Sequence, residues 1–127
     1  MSGRRYDGFA PGRHAIDAYG GGGFRFTDMA HRGSILALPS GILAWDVASP
    51  DQLDEAAFAP VLAEAEEIEV LLIGTGVNLV ALPDALVWRL RDSGMRLDVM
   101  QTGAAARTYN ILIAENRRVA AALIATP

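Results

Sequence analysis

The residues with the most chemical promise sit in two short turns. Gly74-Thr75-Gly76 and Thr102-Gly103 each follow an apolar, β-prone run, and the second leads into a segment carrying Arg107, Thr108 and Asn110. Glycines let a backbone approach a ligand closely, hydroxyls and a carboxamide hydrogen-bond it, and an arginine offers a bidentate fork to an anion. A helix opening at the second turn would aim its free N–H groups at the same place, and its dipole favours an anion there by roughly 0.3–1 kcal/mol. The same residues also have an architectural use. Gly-Thr-Gly after a strand makes a tight turn, Thr102 is a natural N-cap, and the alanines behind it favour a helix. Arg107 can pair with Asp98 or Glu115, and Asn110 can hold a buried carbonyl. The spacing is not Gly-x-Gly-x-x-Gly, so no dinucleotide fingerprint is present.

Other chemistry is thinly represented. The chain has no cysteine, which removes disulfides, thiolate catalysis and cysteine metal sites together. All 11 basic residues are arginine, so neither a Schiff base nor a P-loop has its lysine. His14 and His31 sit in the loop-rich first third and read as solvated histidines rather than general bases. Ser34 and Ser40 lack a nucleophile-elbow context. Glu64, Glu66, Glu67 and Glu69 form an acidic cluster with no histidine spaced to complete a metal site, and read as a solvated helix end. Neither a metal nor a cofactor is expected, and no catalytic residue is assigned. Trp45 and Trp88 read as core or interface anchors. The formal charge of −4 argues against nucleic-acid binding. No apolar run reaches membrane-spanning length and none follows Arg4 and Arg5 as a signal peptide requires, so a cytoplasmic protein is expected.

The elements that must position these turns follow from the hydrophobic pattern. Residues 1–14, rich in Gly, Arg and Pro, read as an irregular N-terminal arm, and 15–127 as a single α/β domain. Two β-prone runs flank the four glycines Gly20 to Gly23. That suggests a hairpin or a wide bend; a phosphate loop would need a following Lys-Ser/Thr and a helix. Ser34–Leu38 and Ile42–Trp45 spell a second hairpin around Pro39-Ser40-Gly41. From Pro50 to about Glu67 two short helical turns are expected, capped by Asp51 or Asp54 and divided by Pro60. Ile68 to Ile73 is a nearly continuous apolar run, as in a strand buried on both faces. A helix from Pro83-Asp84 to Ser93-Gly94 follows, then a strand at Arg96–Met100, a helix from Ala104 to Asn116 and a strand at Val119–Ile124. The sum is a three-layer α/β domain with a mixed β-sheet, N-terminal antiparallel hairpins and a C-terminal β-α-β-α-β unit.

In order and spacing, three stretches resemble one family. They are Glu69-Val70-Leu71-Leu72-Ile73-Gly74-Thr75-Gly76 with Leu82-Pro83, Thr102-Gly103-Ala104-Ala105-Ala106-Arg107-Thr108-Tyr109-Asn110, and Arg118-Val119-Ala120-Ala121-Ala122-Leu123-Ile124. The family comprises small bacterial and archaeal proteins of unknown function and includes mitochondrial complex I assembly factor 3. The resemblance runs from about residue 15 to the end. It implies a three-layer domain with a mixed sheet and no established enzyme activity. The mitochondrial relative helps to assemble the NADH:ubiquinone oxidoreductase, and bacterial relatives are often encoded near the Sec export machinery. The resemblance therefore implies a non-enzymatic accessory or assembly factor with protein partners, respiratory or export components among them. Thr102, Thr108 and Asn110 fit the family pattern, while the mitochondrial members are looser at the position of Arg107. The residues themselves keep a second function open: a small-molecule or anion-binding module, or an enzyme, built on the turns at 74–76 and 102–110.

Overall fold

The computed structural model describes residues 8–127, so the reading of residues 1–7 as part of an irregular arm lies outside the described residues. Within the same stretch Phe9–Pro11 is a short strand, β1, paired with a later one. Next come β2 (Ala18–Gly20), β3 (Gly23–Phe26), β4 (Met29–Arg32), β5 (Ser34–Leu38) and β6 (Gly41–Trp45). A run of single turns, including the helix α1 (Ala59–Ala63), leads to β7 (Val70–Gly74), α2 (Asp84–Asp92), β8 (Arg96–Met100), α3 (Thr102–Ala114) and β9 (Val119–Leu123).

Six strands form one mixed sheet in the order β1-β6-β5-β9-β7-β8. β7 is parallel to both β8 and β9, while β5 is antiparallel to β9 and to β6. The chain steps outward from β7 to β8 and then back across β7 to β9. Two right-handed crossovers in opposite directions must place α2 and α3 on opposite faces, and the core confirms it. Leu36, Leu38, Leu71, Ile73, Ala120 and Ala122 pack with Leu86 and Leu90 of α2. Their strand neighbours Ile35, Ala37, Leu72, Ala121 and Leu123 pack with Ala105, Ala106 and Tyr109 of α3 and with Phe24 and Phe26 of β3. The period-2 alternation of each strand thus feeds two apolar clusters, one on each side of a single sheet. All five residues of β9 are buried, and its three alanines suit a central strand on which α3 packs closely.

The glycine hairpin differs from the simplest expectation. β2, β3 and β4 form a separate three-stranded antiparallel sheet that covers the α3 side, so only the second hairpin extends the main sheet. β4 carries no local signal in the sequence. The turn before it, Thr27-Asp28, takes φ of 39° and 63°, the doubly left-handed geometry of a tight hairpin that Asn-Gly usually announces. Two helical boundaries also move. Pro60 does not divide a helix but lies in the first turn of α1, where its missing N–H costs nothing; the turns around it at Ala56–Phe58 and Ala65–Glu67 are 3-10. Asp54 accepts from the Ala57 N–H at 2.9 Å, a cap of the kind expected of it. α3 begins at Thr102 and ends at Ala114. Asn116 stops it in a left-handed conformation (φ 61°), with the Arg117 N–H on the Leu112 carbonyl and the Asn116 N–H on that of Ile113, both at 2.9 Å.

Candidate functional site: the strand-end turns and the start of α3

Parallel pairing sets Gly74 opposite Met100, so the two turns lie side by side at the carboxyl ends of β7 and β8. Their polar atoms are spent on each other. Thr102 is not the N-cap of α3; that place belongs to Gln101, which makes no side-chain cap bond. Thr102 is the first helical residue, fully buried, and its hydroxyl points inward. Oγ1 accepts from the Gly76 N–H at 2.9 Å and donates to the Ile124 carbonyl at 2.7 Å. The Thr102 N–H donates to the Gly76 carbonyl at 2.9 Å, and the Ile124 N–H to that of Gly74 at 3.0 Å. One hydroxyl therefore ties the ends of β7 and β9 to the start of α3. The buried Thr75 hydroxyl donates to the Asn78 carbonyl at 2.6 Å and accepts from the Val80 N–H at 3.1 Å, which folds the loop back on itself. Gly74 is needed for this approach: a Cβ there would lie 2.8 Å from the Thr102 Cα, and backbone cannot yield as a flexible side chain can.

The residues farther along α3 face the β2–β4 sheet. A Cβ at Gly103 would collide with the Tyr19 ring, so β2 roofs the first turn of the helix. Arg107 pairs with neither Asp98 nor Glu115; its Nη1 donates to the Tyr19 hydroxyl at 2.9 Å. The Asn110 Oδ1 accepts from the Ile16 N–H at 2.7 Å while its Nδ2 donates to the Ile16 carbonyl at 2.8 Å. The side chain thus imitates a strand neighbour and pins the chain entering β2. Thr108 turns back to the Ala104 carbonyl at 2.8 Å. The structure accordingly gathers Gly74, Thr75, Gly76, Thr102 and Gly103 at one point and sends Arg107 and Asn110 to Tyr19 and Ile16. Those two partners, 88 and 94 residues away in sequence, carry no local signal that links them to α3. Beside them Tyr109 is fully buried, and burial pushes its hydroxyl up to about 12 against the opposing influence of Arg13. That hydroxyl makes no hydrogen bond with a described residue.

The remaining candidates also have structural partners. The His14 Nε2 lies 2.8 Å from the Pro11 carbonyl and the His31 Nε2 3.1 Å from that of Ser34, so each ring serves its own loop. Glu64 caps the β5–β6 turn by accepting from the Ser40 N–H at 3.0 Å and its hydroxyl at 2.6 Å. Glu69 pairs with Arg117 at 3.2 Å, and this hydrogen-bonded guanidinium holds its carboxyl below the ordinary value of 4.5. The Trp45 Nε1 donates to the Ala57 carbonyl at 2.8 Å and its ring meets Phe58 edge-on, as a core anchor should, whereas Trp88 is 74% exposed. Among the described residues no three His, Cys, Asp or Glu side chains come together as a metal site would require.

Fold and turns together define a three-layer α/β protein whose strand-end loops are hydrogen-bonded shut. The model of a family described as proteins of unknown function (DUF498/DUF598) matches residues 16–124, and the chain belongs to that family. An uncharacterised protein of Rhodobacter capsulatus is 38% identical over 123 residues, covering 97% of this chain and 93% of the relative. The human NADH dehydrogenase [ubiquinone] 1 alpha subcomplex assembly factor 3 is 30% identical over 112 residues, 88% of this chain; the match spans only 61% of the human protein. A crystal structure described as an outer membrane protein from Bartonella henselae superposes with a TM-score of 0.89 at 53% identity, covering 92% of this chain and 98% of that one. Among the described residues no helix is long and apolar enough to cross a membrane.

Proposed function

We propose that this protein is a non-enzymatic accessory factor that docks on other proteins during the assembly of a membrane or respiratory complex, working from the cytoplasm with residues 15–127 as the acting unit. The observation that carries this reading is the connection between β7 and α2. It exposes Val77 (59%), Leu79 (64%) and Val80 (37%), and α2 then presents Trp88 outward. Large apolar side chains left in water on one connection are what a protein-binding surface requires, and tryptophan is enriched among residues that dominate interface energies. The assembly-factor name of the human relative supplies the kind of partner. The alternative, a small-anion or catalytic site on the turns at 74–76 and 102–110, has less support, because the Thr75, Thr102 and Asn110 side chains already bond within the chain.

The reading is tested by placing a photo-crosslinker at position 88 and at Arg118 in the native cell. Respiratory or export components captured from 88 and not from 118 are the expected outcome. Equal capture of abundant bystanders from both positions would remove the reading's main support.

A further inference from the structure

The β2–β4 sheet has an outer face with an unusual composition. Cross-strand register lines up Ala18, Arg25 and Ala30 in one row and Gly20, Gly23 and Arg32 in the next. Tyr19, Phe24 and His31 form the intervening row, which turns to the other face. Four of the six outward residues therefore carry at most a methyl group, and the other two are exposed arginines. The floor is essentially backbone. A concavity of about 450 Å³ lies over it, lined by Tyr19, Gly20, Gly23, Arg25, His31 and Arg32 among others.

The two guanidiniums are diagonal neighbours on adjacent antiparallel strands, a spacing of roughly 7–8 Å between backbones that long side chains easily close. Neither side chain makes a hydrogen bond or ion pair with a described residue. Asp17 and Asp28 share a neighbouring depression with Arg25 but form no ion pair with it. Like charges at this separation repel unless a counter-charge is supplied. The chain as a whole carries −4, so this paired positive charge is a local feature. A dianion with three terminal oxygens can be gripped by two guanidinium forks at once, whereas a carboxylate has oxygens for one. The volume falls within the range of small-molecule sites, roughly 300–1,000 Å³.

We propose that this face binds a phosphate monoester, held between Arg25 and Arg32 against the glycine-lined floor. The site is separate from the β7–α2 docking surface and does not depend on that reading. Tyr19 contributes only backbone to this floor; its ring lies on the opposite face, where Arg107 holds the hydroxyl.

The experiment is an amide and guanidinium NMR titration of the full chain with adenosine 5′-monophosphate, glycerol 3-phosphate and unphosphorylated adenosine. A parallel arm uses phosphatidylcholine vesicles with and without phosphatidic acid. Saturable shifts at Gly20, Gly23 and the Arg25 and Arg32 side chains are expected with the monoesters and not with adenosine. Arg25→Gln and Arg32→Gln should each weaken binding about tenfold or more, while Arg91→Gln, an exposed arginine elsewhere, should leave it unchanged. A response to phosphatidic acid vesicles with none to the soluble monoesters would identify the phosphate as a lipid headgroup. Absence of saturable shifts in both arms overturns the proposal. So does an equal loss in the Arg91 variant, which would mark the attraction as nonspecific. Spectra of the free variants that overlay the wild type show that lost binding is not lost folding.

Discussion

The chain has two glycine-rich turns with opposite fates. At residues 74–76 the glycines bring two strand ends so close that each nearby polar atom finds another, and Thr102 is sealed inside. At residues 20–23 the glycines thin the outer face of a small sheet and leave two arginines without partners. In sequence the first invites a ligand reading and the second reads as a hairpin turn. What separates them is hydrogen-bond satisfaction: a buried polar group that is already paired is architecture, and an exposed charge with nothing to pair with is free to bind.

The largest effect is expected where the contrast is sharpest. Thr102→Val keeps the shape of the side chain but strands the Gly76 N–H and the Ile124 carbonyl in a buried setting. Each unsatisfied group costs about 1–3 kcal/mol, so urea unfolding should show a loss of about 2–6 kcal/mol in all. A loss below about 0.5 kcal/mol would mean that the hydroxyl does not tie the two strand ends together. The contrast between the turns would then fail on its structural side.

Much of this architecture was legible beforehand. The apolar run at 68–73, the Pro83-Asp84 start, the Asn116 stop and the 119–124 strand mark the β-α-β-α-β unit because their periodicity and caps are local. The site was legible as a place but not as a circuit. Thr102 reads as an N-cap because a hydroxyl before an alanine run usually is one, but the Gly76 N–H and the carbonyl of Ile124 just past β9, 22 residues on, draw it inward. β4 escaped because Thr27-Asp28 adopts a glycine-like turn without the residues that announce it. Arg107 and Asn110 invite local partners, and nothing near them in sequence points to Tyr19 or Ile16.

The seam between the two regions is tested by pH. The folded-state pKa of Tyr109 lies above its ordinary value of 10.0, at about 12. Stability from keeping this phenol neutral is fully present below pH 10 and is lost as pH rises through 12. At 1.36 kcal/mol per pKa unit the loss is about 3 kcal/mol. Tyr109→Phe should flatten that alkaline slope. It should also gain about 1 kcal/mol at neutral pH, since it removes a buried hydroxyl with no described partner. An unchanged slope would assign the alkaline loss to other groups.

Asn110→Ala should cost less, about 1–2 kcal/mol, because Ile16 regains water as it loses its two bonds to the side chain. Its mark should be local: faster hydrogen exchange at the Ile16 amide and across β2, with β7 and β9 unchanged. Equal acceleration in both sheets would show that they unfold as one unit and that the seam is no boundary.

The smallest effect on stability is the most discriminating. Arg25→Ala and Arg32→Ala remove exposed side chains that hold nothing, and each should shift the unfolding free energy by no more than about 0.5 kcal/mol. The sign should favour the variants slightly at low salt, since each relieves the repulsion between diagonal guanidiniums, and the gain should fade as salt screens it. Adding a phosphate monoester should reverse that order, stabilising the wild type by mass action and not the variants. If either alanine variant instead costs as much as Thr102→Val, the arginines hold the sheet together, and the two glycine turns differ only in exposure.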